Sequence, residues 1–236
     1  MKGDGIGNRM KENYEDRYRI KLTRRTPVIL RLDGKCFSKL TKYCQKPFDL
    51  SLANAIDNAT LSLLKEAQGA KIAYCQSDEV SILLTDYDTL QTEAWFDNNL
   101  QKLVSVSASI MGASFTENWA SIGYFDARAF TIPPSEVCNY FIWRQQDWIR
   151  NSVMMLARAH FSHKECHNKK QSQLHEMLHN IGINWAELDQ IWKNGRIIVK
   201  EEGWRVEPAI LFTEDREIIE QLVKSQAVDI LPYLQV

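Results

Sequence analysis

Between Pro27 and Ile132 the apolar residues change spacing in an order that only a few folds can satisfy. Pro27 to Leu32 reads as a strand, with Val28, Leu30 and Leu32 on one face. Asp49 to Gln68 reads as a helix, because Leu52, Ala55, Ile56, Ala59 and Leu63 recur at helical spacing and Gly69 suits the C-terminal cap. Lys71 to Cys75 and Glu79 to Leu84 are two strands joined by a polar turn at Ser77-Asp78. A longer helix is expected over 90–119 and a further strand over 122–132. The order β-α-β-β-α-β is that of the ferredoxin-like fold, in which the first and third strands are antiparallel neighbours.

Pro133-Pro134 closes this unit. Beyond it Val137 to Ala159 and Gln171 to Leu178 read as helices and Glu217 to Lys224 as a terminal helix. Gly195 to Phe212 reads as a β-hairpin, with Ile197 to Val199 expected to face Ala209 to Leu211. The expected fold class is therefore α+β. A palm-like domain with a basic N-terminal segment spans 1–133, and a helical extension with a hairpin spans 134–236 and packs on it.

Composition narrows the function classes. A chain of 236 residues with 44% apolar and 25% charged residues can bury a core of ordinary size. It has no apolar run near the roughly 18 residues that span a bilayer, which argues against membrane partners. The polar, glycine-rich start does not read as a signal peptide. Five cysteines, none spaced C-x-x-C, point to reduced thiols in a cytoplasm. The net charge of -1 carries no global signature of nucleic-acid binding, but Arg9, Lys11, Arg17, Arg19, Lys21, Arg24 and Arg25 form a local basic segment that could meet phosphates.

The chemistry is concentrated at two strand ends, in Arg31-Leu32-Asp33-Gly34-Lys35 and Gln76-Ser77-Asp78-Glu79. A lone Asp at a strand end is commonly a turn or cap residue. Here the expected topology brings Asp33 and Asp78 together, and Gly34 adds an unshielded backbone carbonyl. Mg²⁺ takes a few carboxylate oxygens together with substrate phosphates and waters, and two such ions activate a hydroxyl and stabilise a leaving pyrophosphate. A helix starting after Lys35 would turn its free N–H groups toward an anion. Ser77 is a candidate donor, and Lys46 and Lys102, the latter expected midway along its helix, could neutralise phosphates.

Arg144, Asp147, Asn151 and Arg158 share one face of the helix after Pro134. That face is either a solvated surface or a stripe for an RNA end, which Arg128 could join. His160, His163, His167, His175 and His179 cluster near Cys166, yet the intervening residues are wet and charged and no C-x-x-C completes a zinc site.

Arg31-Leu32-Asp33-Gly34-Lys35, Lys46-Pro47-Phe48-Asp49, Gln76-Ser77-Asp78-Glu79, Phe125-Asp126-Ala127-Arg128 and Trp143-Arg144-Gln145-Gln146-Asp147 occur in the order seen in the tRNA-histidine guanylyltransferase superfamily, which the chain resembles from about Asn8 to Glu201. The resemblance implies a polymerase-like palm and a nucleotidyltransferase that adds nucleotides to the 5′ end of tRNA in the 3′–5′ direction. It implies a 5′-monophosphate activated by ATP or GTP, then attack by the 3′-hydroxyl of an incoming triphosphate. Asp33 and Asp78 would be catalytic and, with the Gly34 carbonyl, would hold two Mg²⁺ ions. Asp33, Gly34, Lys35, Cys36, Phe37, Ser38, Lys46, Asp49, Ser77, Asp78 and Lys102 would bind the nucleotide. Arg128, Arg144 and Asn151 would meet RNA phosphates, and the assembly would be a homotetramer, a dimer of dimers.

The chain departs from this pattern at one place. Eukaryotic members continue the Trp-Arg-Gln helix with His-Ile-Asn-Asn, and this sequence has Trp148-Ile149-Arg150-Asn151. The departure resembles the bacterial, archaeal and phage-type guanylyltransferase-like branch, which favours template-dependent repair of 5′-truncated tRNA. The alternatives are non-templated addition of G to histidine tRNA and a palm-fold nucleotide cyclase. A cyclase needs no RNA surface, and an inert RNA-binding relative would not need both Asp33 and Asp78.

Overall fold

The computed structural model describes residues 5–119 and 121–224. In chain order its elements are α1 (Ile6–Met10), β1 (Val28–Gly34), α2 (Phe37–Leu40), α3 (Leu50–Glu66), β2 (Ala70–Gln76), β3 (Glu79–Leu84), α4 (Leu100–Asn118), β4 (Phe125–Thr131), α5 (Pro134–His160), α6 (His163–Cys166), α7 (Gln171–His179), α8 (Gln190–Asn194), β5 (Arg196–Lys200), β6 (Trp204–Pro208) and α9 (Glu217–Lys224). Six strands form one antiparallel sheet in the order β4-β1-β3-β2-β5-β6. Its first four are the ferredoxin-like arrangement expected from the apolar pattern.

Both faces of the sheet are covered, which is why the central strands are apolar at successive positions. Val28, Leu30 and Leu32 of β1 and Val80 and Ile82 of β3 pack in one core with Ile56, Ala59 and Leu63 of α3 and Leu103 and Met111 of α4. Ile29 and Leu83 turn the other way, with Ile72, Tyr74, Ile197 and Val199, against Val137 and Phe141 of α5 and Ile219 of α9. Each such aliphatic side chain contributes about 1.5–3 kcal/mol on burial. By the same alternation, Asp33 lies on the α5 side.

Three elements depart from the sequence reading. The helix expected over 90–119 begins only at Leu100, because the Asn99 side chain caps it by accepting from the Lys102 amide at 3.0 Å. Before it, Phe96, Asp97 and Asn98 take positive φ values of 51°, 50° and 55°, and Lys21 and Arg24 pair with Asp97. The strand expected over 122–132 starts at Phe125; ahead of it Gly123 lies so close to Phe115 that a Cβ there would fall 2.3 Å from its ring. In the hairpin, Ile197, Ile198 and Val199 face Glu207, Val206 and Arg205, not Ala209 to Leu211. The tight turn, where the Glu201 amide donates to the Gly203 carbonyl at 3.0 Å, sets that register, and the Ala209 side chain is buried past the ladder's end.

The boundary at 133/134 falls between β4 and α5, but the hairpin beyond it joins the sheet of the first segment, β5 pairing with β2. A buried ion pair reinforces the junction: Arg196 Nε of β5 donates to both carboxylate oxygens of Asp57 on α3, at 2.9 and 2.7 Å. No helix among the described residues is long and apolar enough to cross a membrane.

Candidate active site

The turn between β2 and β3 is two residues long, and Ser77 holds it with a φ of 48°, unusual for a residue with a side chain. Asp78 follows, beside the end of β1, where Asp33 sits opposite Glu79. Gly34 makes the approach possible: a Cβ there would lie 2.7 Å from the Asp78 Oδ2 and 2.3 Å from the Phe37 ring. Burial pushes the Asp78 carboxyl up to about 6. Hydrogen bonds from its own amide and from Ser77 oppose that rise, and the charges of Asp33 and Glu79 add to it.

Two cavities meet at this pair, and Asp33, Ser38, Ser77, Asp78 and Met155 line both. The first, of about 510 Å³, is walled by Gly34, Cys36, Phe37 and the loop from Thr41 to Asp49. Asp49 accepts from the Leu52 amide at 3.0 Å, capping α3, and from the Gln45 amide at 2.9 Å. Although burial opposes its ionisation, these amides hold it below the ordinary carboxylate range. The second cavity, of about 540 Å³, is walled by one face of α5, with Arg144, Asp147, Asn151 and Arg158. The stripe read from helical spacing thus lines a cavity, with Asn151 and Arg158 at exposed positions in it.

Arg144 itself is only 6% exposed. Its Nε and Nη2 donate to the two oxygens of Glu79 at 2.7 and 2.8 Å, and Nη2 also reaches Asp147 at 3.0 Å. These bonds hold α5 against the β2–β3 turn, and Arg144 at the same time lines the second cavity. Gln76 Oε1 and Trp148 Nε1, both in the wall of the second cavity, are buried with no hydrogen-bond partner among the described residues.

Not every expected residue is gathered here. Lys102 lies in the first turn of α4, not midway along it, with its ammonium over the Phe96 ring at 5.6 Å, and it lines a separate cleft with Arg19 and Ser105. Lys35 is exposed beside the pair and lines neither cavity. Arg128 is exposed on the outer strand β4, 3.6 Å from Asp126, again outside both cavities. Within the basic segment, Lys21 and Arg24 pair with Asp97, Arg24 pairs with Asp86, and the Arg25 guanidinium donates to the Leu90 carbonyl at 2.9 Å. Each of these three thus has a partner within the protein. His163 and His167 stack at 5.8 Å, and Cys166 is buried among Leu174 and Leu178.

Sequence reasoning missed Glu79, Gln76 and Trp148 as wall residues, along with Thr41, Cys44, Gln45 and Leu52. Glu79 was within reach: it adjoins Asp78, and a carboxylate opposite Asp33 must find a cation or exclude one.

Among the described residues no group of three or more His, Cys, Asp or Glu side chains gathers as a cage for a metal. The donor set of Asp33, Asp78 and the Gly34 carbonyl is hard oxygen, and Asp78 is desolvated beside a second carboxylate. That set fits Mg²⁺, which takes its remaining ligands from phosphates and water.

A family model described as tRNAHis guanylyltransferase (Thg1) matches residues 7–133. A bacterial tRNA(His) guanylyltransferase (Thg1)-like protein solved in complex with ATP superposes with a TM-score of 0.89 at 45% identity, covering 93% of this chain and 99% of that one. A bacterial Thg1-like protein in complex with GTP gives 0.83 at 43% identity over 93% of this chain and 99% of that one. The tRNA(His) guanylyltransferase of Debaryomyces hansenii is 28% identical over 229 residues, 86% of this chain and 84% of that protein.

Proposed function

The chain belongs to the tRNAHis guanylyltransferase family of nucleotidyltransferases, and from that premise we propose that it adds nucleotides to the 5′ end of tRNA in the 3′–5′ direction, repairing 5′-truncated tRNA under the direction of the opposite strand. The observation that carries this reading is the meeting of two cavities at Asp33 and Asp78: one shaped by the Lys46–Asp49 loop, the other by the α5 stripe. A single-substrate enzyme such as a cyclase has no use for the second. Trp148, where eukaryotic members carry histidine, supports the templated reaction over non-templated addition of G to histidine tRNA.

In this reading the first cavity takes ATP or GTP, the nucleotides with which two bacterial Thg1-like proteins were solved. Ser38 and Ser77 donate to phosphate oxygens, and Lys46 adds positive charge at the cavity's edge. Asp33, Asp78 and the Gly34 carbonyl would hold Mg²⁺, which when bound offsets the triphosphate charge and the charge on the leaving pyrophosphate. An oxygen of the RNA 5′-monophosphate attacks the α-phosphorus, pyrophosphate leaves, and the RNA 5′ end carries a nucleotidyl group. The 3′-hydroxyl of the incoming triphosphate then attacks the RNA 5′-phosphorus, loses its proton, and displaces the nucleoside monophosphate. Asn151 and Arg158 hold the RNA end in the second cavity, and Arg128 extends the RNA path across β4. Arg144 keeps the α5 wall and the β2–β3 turn in register.

We further infer that the palm-like segment 1–133 supplies the catalytic carboxylates, that α5 of the helical extension 134–236 supplies the facing side of the second cavity, and that the enzyme works as a homotetramer. The five free thiols support a cytoplasmic location. The test is extension of a tRNA lacking its first 5′ nucleotide, with Mg²⁺ and each labelled NTP in turn. Incorporation matching the opposite strand is expected. Addition of G regardless of that strand would favour the non-templated reaction, and labelled cyclic nucleotide would favour the cyclase.

A further inference from the structure

The loop from Thr41 to Asp49 walls the first cavity, and its hydrogen bonds run to near neighbours in the chain. Thr41 Oγ1 donates to the Phe37 carbonyl at 2.8 Å, Lys46 Nζ to the Thr41 carbonyl at 3.3 Å and the Gln45 amide to Asp49 at 2.9 Å. Such bonds shape a loop without fixing its place in the molecule. Phe48 is the side chain that reaches out. Its ring lies flat on Trp192 of α8, with centroids 5.0 Å apart and 4° between planes, and tilted toward Trp148 of α5 at 6.3 Å.

Trp192 stands on a fixed post. The carbonyl of Asn194, at the end of α8, accepts from Tyr74 Oη at 2.8 Å and from Gln145 Nε2 at 3.2 Å. Gln190 Nε2, at its start, donates to the Ala209 carbonyl at 3.0 Å. Tyr74 and Gln145 are themselves buried in β2 and α5. The five-residue helix is thereby held to the sheet and the long helix while its tryptophan presents a flat face to the loop.

We infer that Trp192 is a positioning residue for nucleotide binding: by stacking on Phe48 it holds the Lys46–Asp49 loop in the shape that closes the first cavity. It lines neither cavity and acts through Phe48. Losing the stack leaves the loop in its binding shape only part of the time, and nucleotide affinity falls by that fraction. Aromatic stacking together with the ring burial it maintains predicts a loss on the order of 10-fold.

This rests on reading the first cavity as the nucleotide site, so the test has one readout that depends on that reading and one that does not. Wild type, Trp192→Ala, Trp192→Phe, Phe48→Leu and the double variant Phe48→Leu/Trp192→Ala are titrated with fluorescent ATP and GTP analogues. Amide hydrogen exchange is followed in the nucleotide-free proteins. Expected are a Kd raised about 10-fold in Trp192→Ala and in Phe48→Leu, no further loss in the double variant, near wild-type affinity in Trp192→Phe, and faster exchange confined to 41–52. In extension assays the KM for NTP rises with little change in kcat. Unchanged affinity in Trp192→Ala, additive losses in the double variant, or faster exchange in β5 and α8 with 41–52 unaffected would overturn the inference. If wild type bound neither nucleotide, the nucleotide-site reading would fall, and exchange at 41–52 would still decide whether Trp192 holds the loop.

Discussion

Arg144 of α5 grips both carboxylate oxygens of Glu79, at 2.7 and 2.8 Å, directly beside Asp78 and opposite Asp33. Arg144 is buried and Glu79 largely so, and each charge depends on the other. It also joins the wall of the second cavity to the turn that carries Asp78.

Arg144→Met leaves Glu79 buried without its cation. We expect a loss of about 3 kcal/mol, read by chemical denaturation. Arg144→Lys does not restore it, because one ammonium cannot match a two-pronged grip. Adding Glu79→Gln to Arg144→Met recovers part of the loss. A lysine variant as stable as wild type would mean that the paired geometry contributes little.

Asp78 makes metal-free stability depend on pH. Its carboxyl titrates at about 6 in the folded chain, against an ordinary value of 3.8, because burial disfavours its charge. Between those values the native state holds a proton that the unfolded chain has released, so stability falls as pH rises and the penalty is complete above about 6. Asp78→Asn in chelator is therefore expected to melt higher than wild type at pH 7.5, with the advantage gone near pH 4. Mg²⁺ added at pH 7.5 raises the wild-type melting temperature and leaves the variant's unchanged. Identical melting curves for the two proteins at every pH would contradict the assignment.

Gly34→Ala places a methyl 2.3 Å from the Phe37 ring and 2.7 Å from the Asp78 carboxylate. One of them must move. We expect a loss of about 1–3 kcal/mol in stability and near-complete loss of tRNA extension. A fully active variant would show that the close approach of β1 to Asp78 is dispensable.

Arg196 and Asp57 form a buried pair that joins β5 to α3. Asp57→Ala strands the guanidinium and is expected to cost about 3–5 kcal/mol in denaturant unfolding. Asp57→Leu combined with Arg196→Met should recover most of that, since two apolar side chains leave no charge to compensate. A double variant no better than the single would place the contribution in shape instead of charge.

The palm order was legible because period-2 and period-3.6 patterns over 27–132 are long and sharply bounded, and the meeting of Asp33 with Asp78 follows from that order alone. The α4 start was not legible: the apolar residues from Leu90 onward resemble a helical face, and only the Asn99 cap and the three left-handed residues before it halt the pattern. The hairpin register failed because matching apolar runs were paired by hydrophobicity, whereas β6 is an edge strand whose polar side chains need no buried partner. Arg144 read as part of a solvated face or an RNA stripe because helical spacing places it with Asn151 and Arg158. Periodicity cannot show that a carboxylate on another element lies within 3 Å of it.

The pairing of β5 with β2 governs the order in which the molecule can be finished as it is made. Both carboxylates leave the ribosome early, yet the strand that lies outside β2, and the α5 wall behind it, emerge much later. Until then β2 is an open, apolar seam with nothing to shield it. A nascent chain stalled after β4 would carry the reaction centre's acidic residues on an unfinished surface, and another copy could zip onto it. Protection of that seam from self-association therefore arrives only with the five residues of β5.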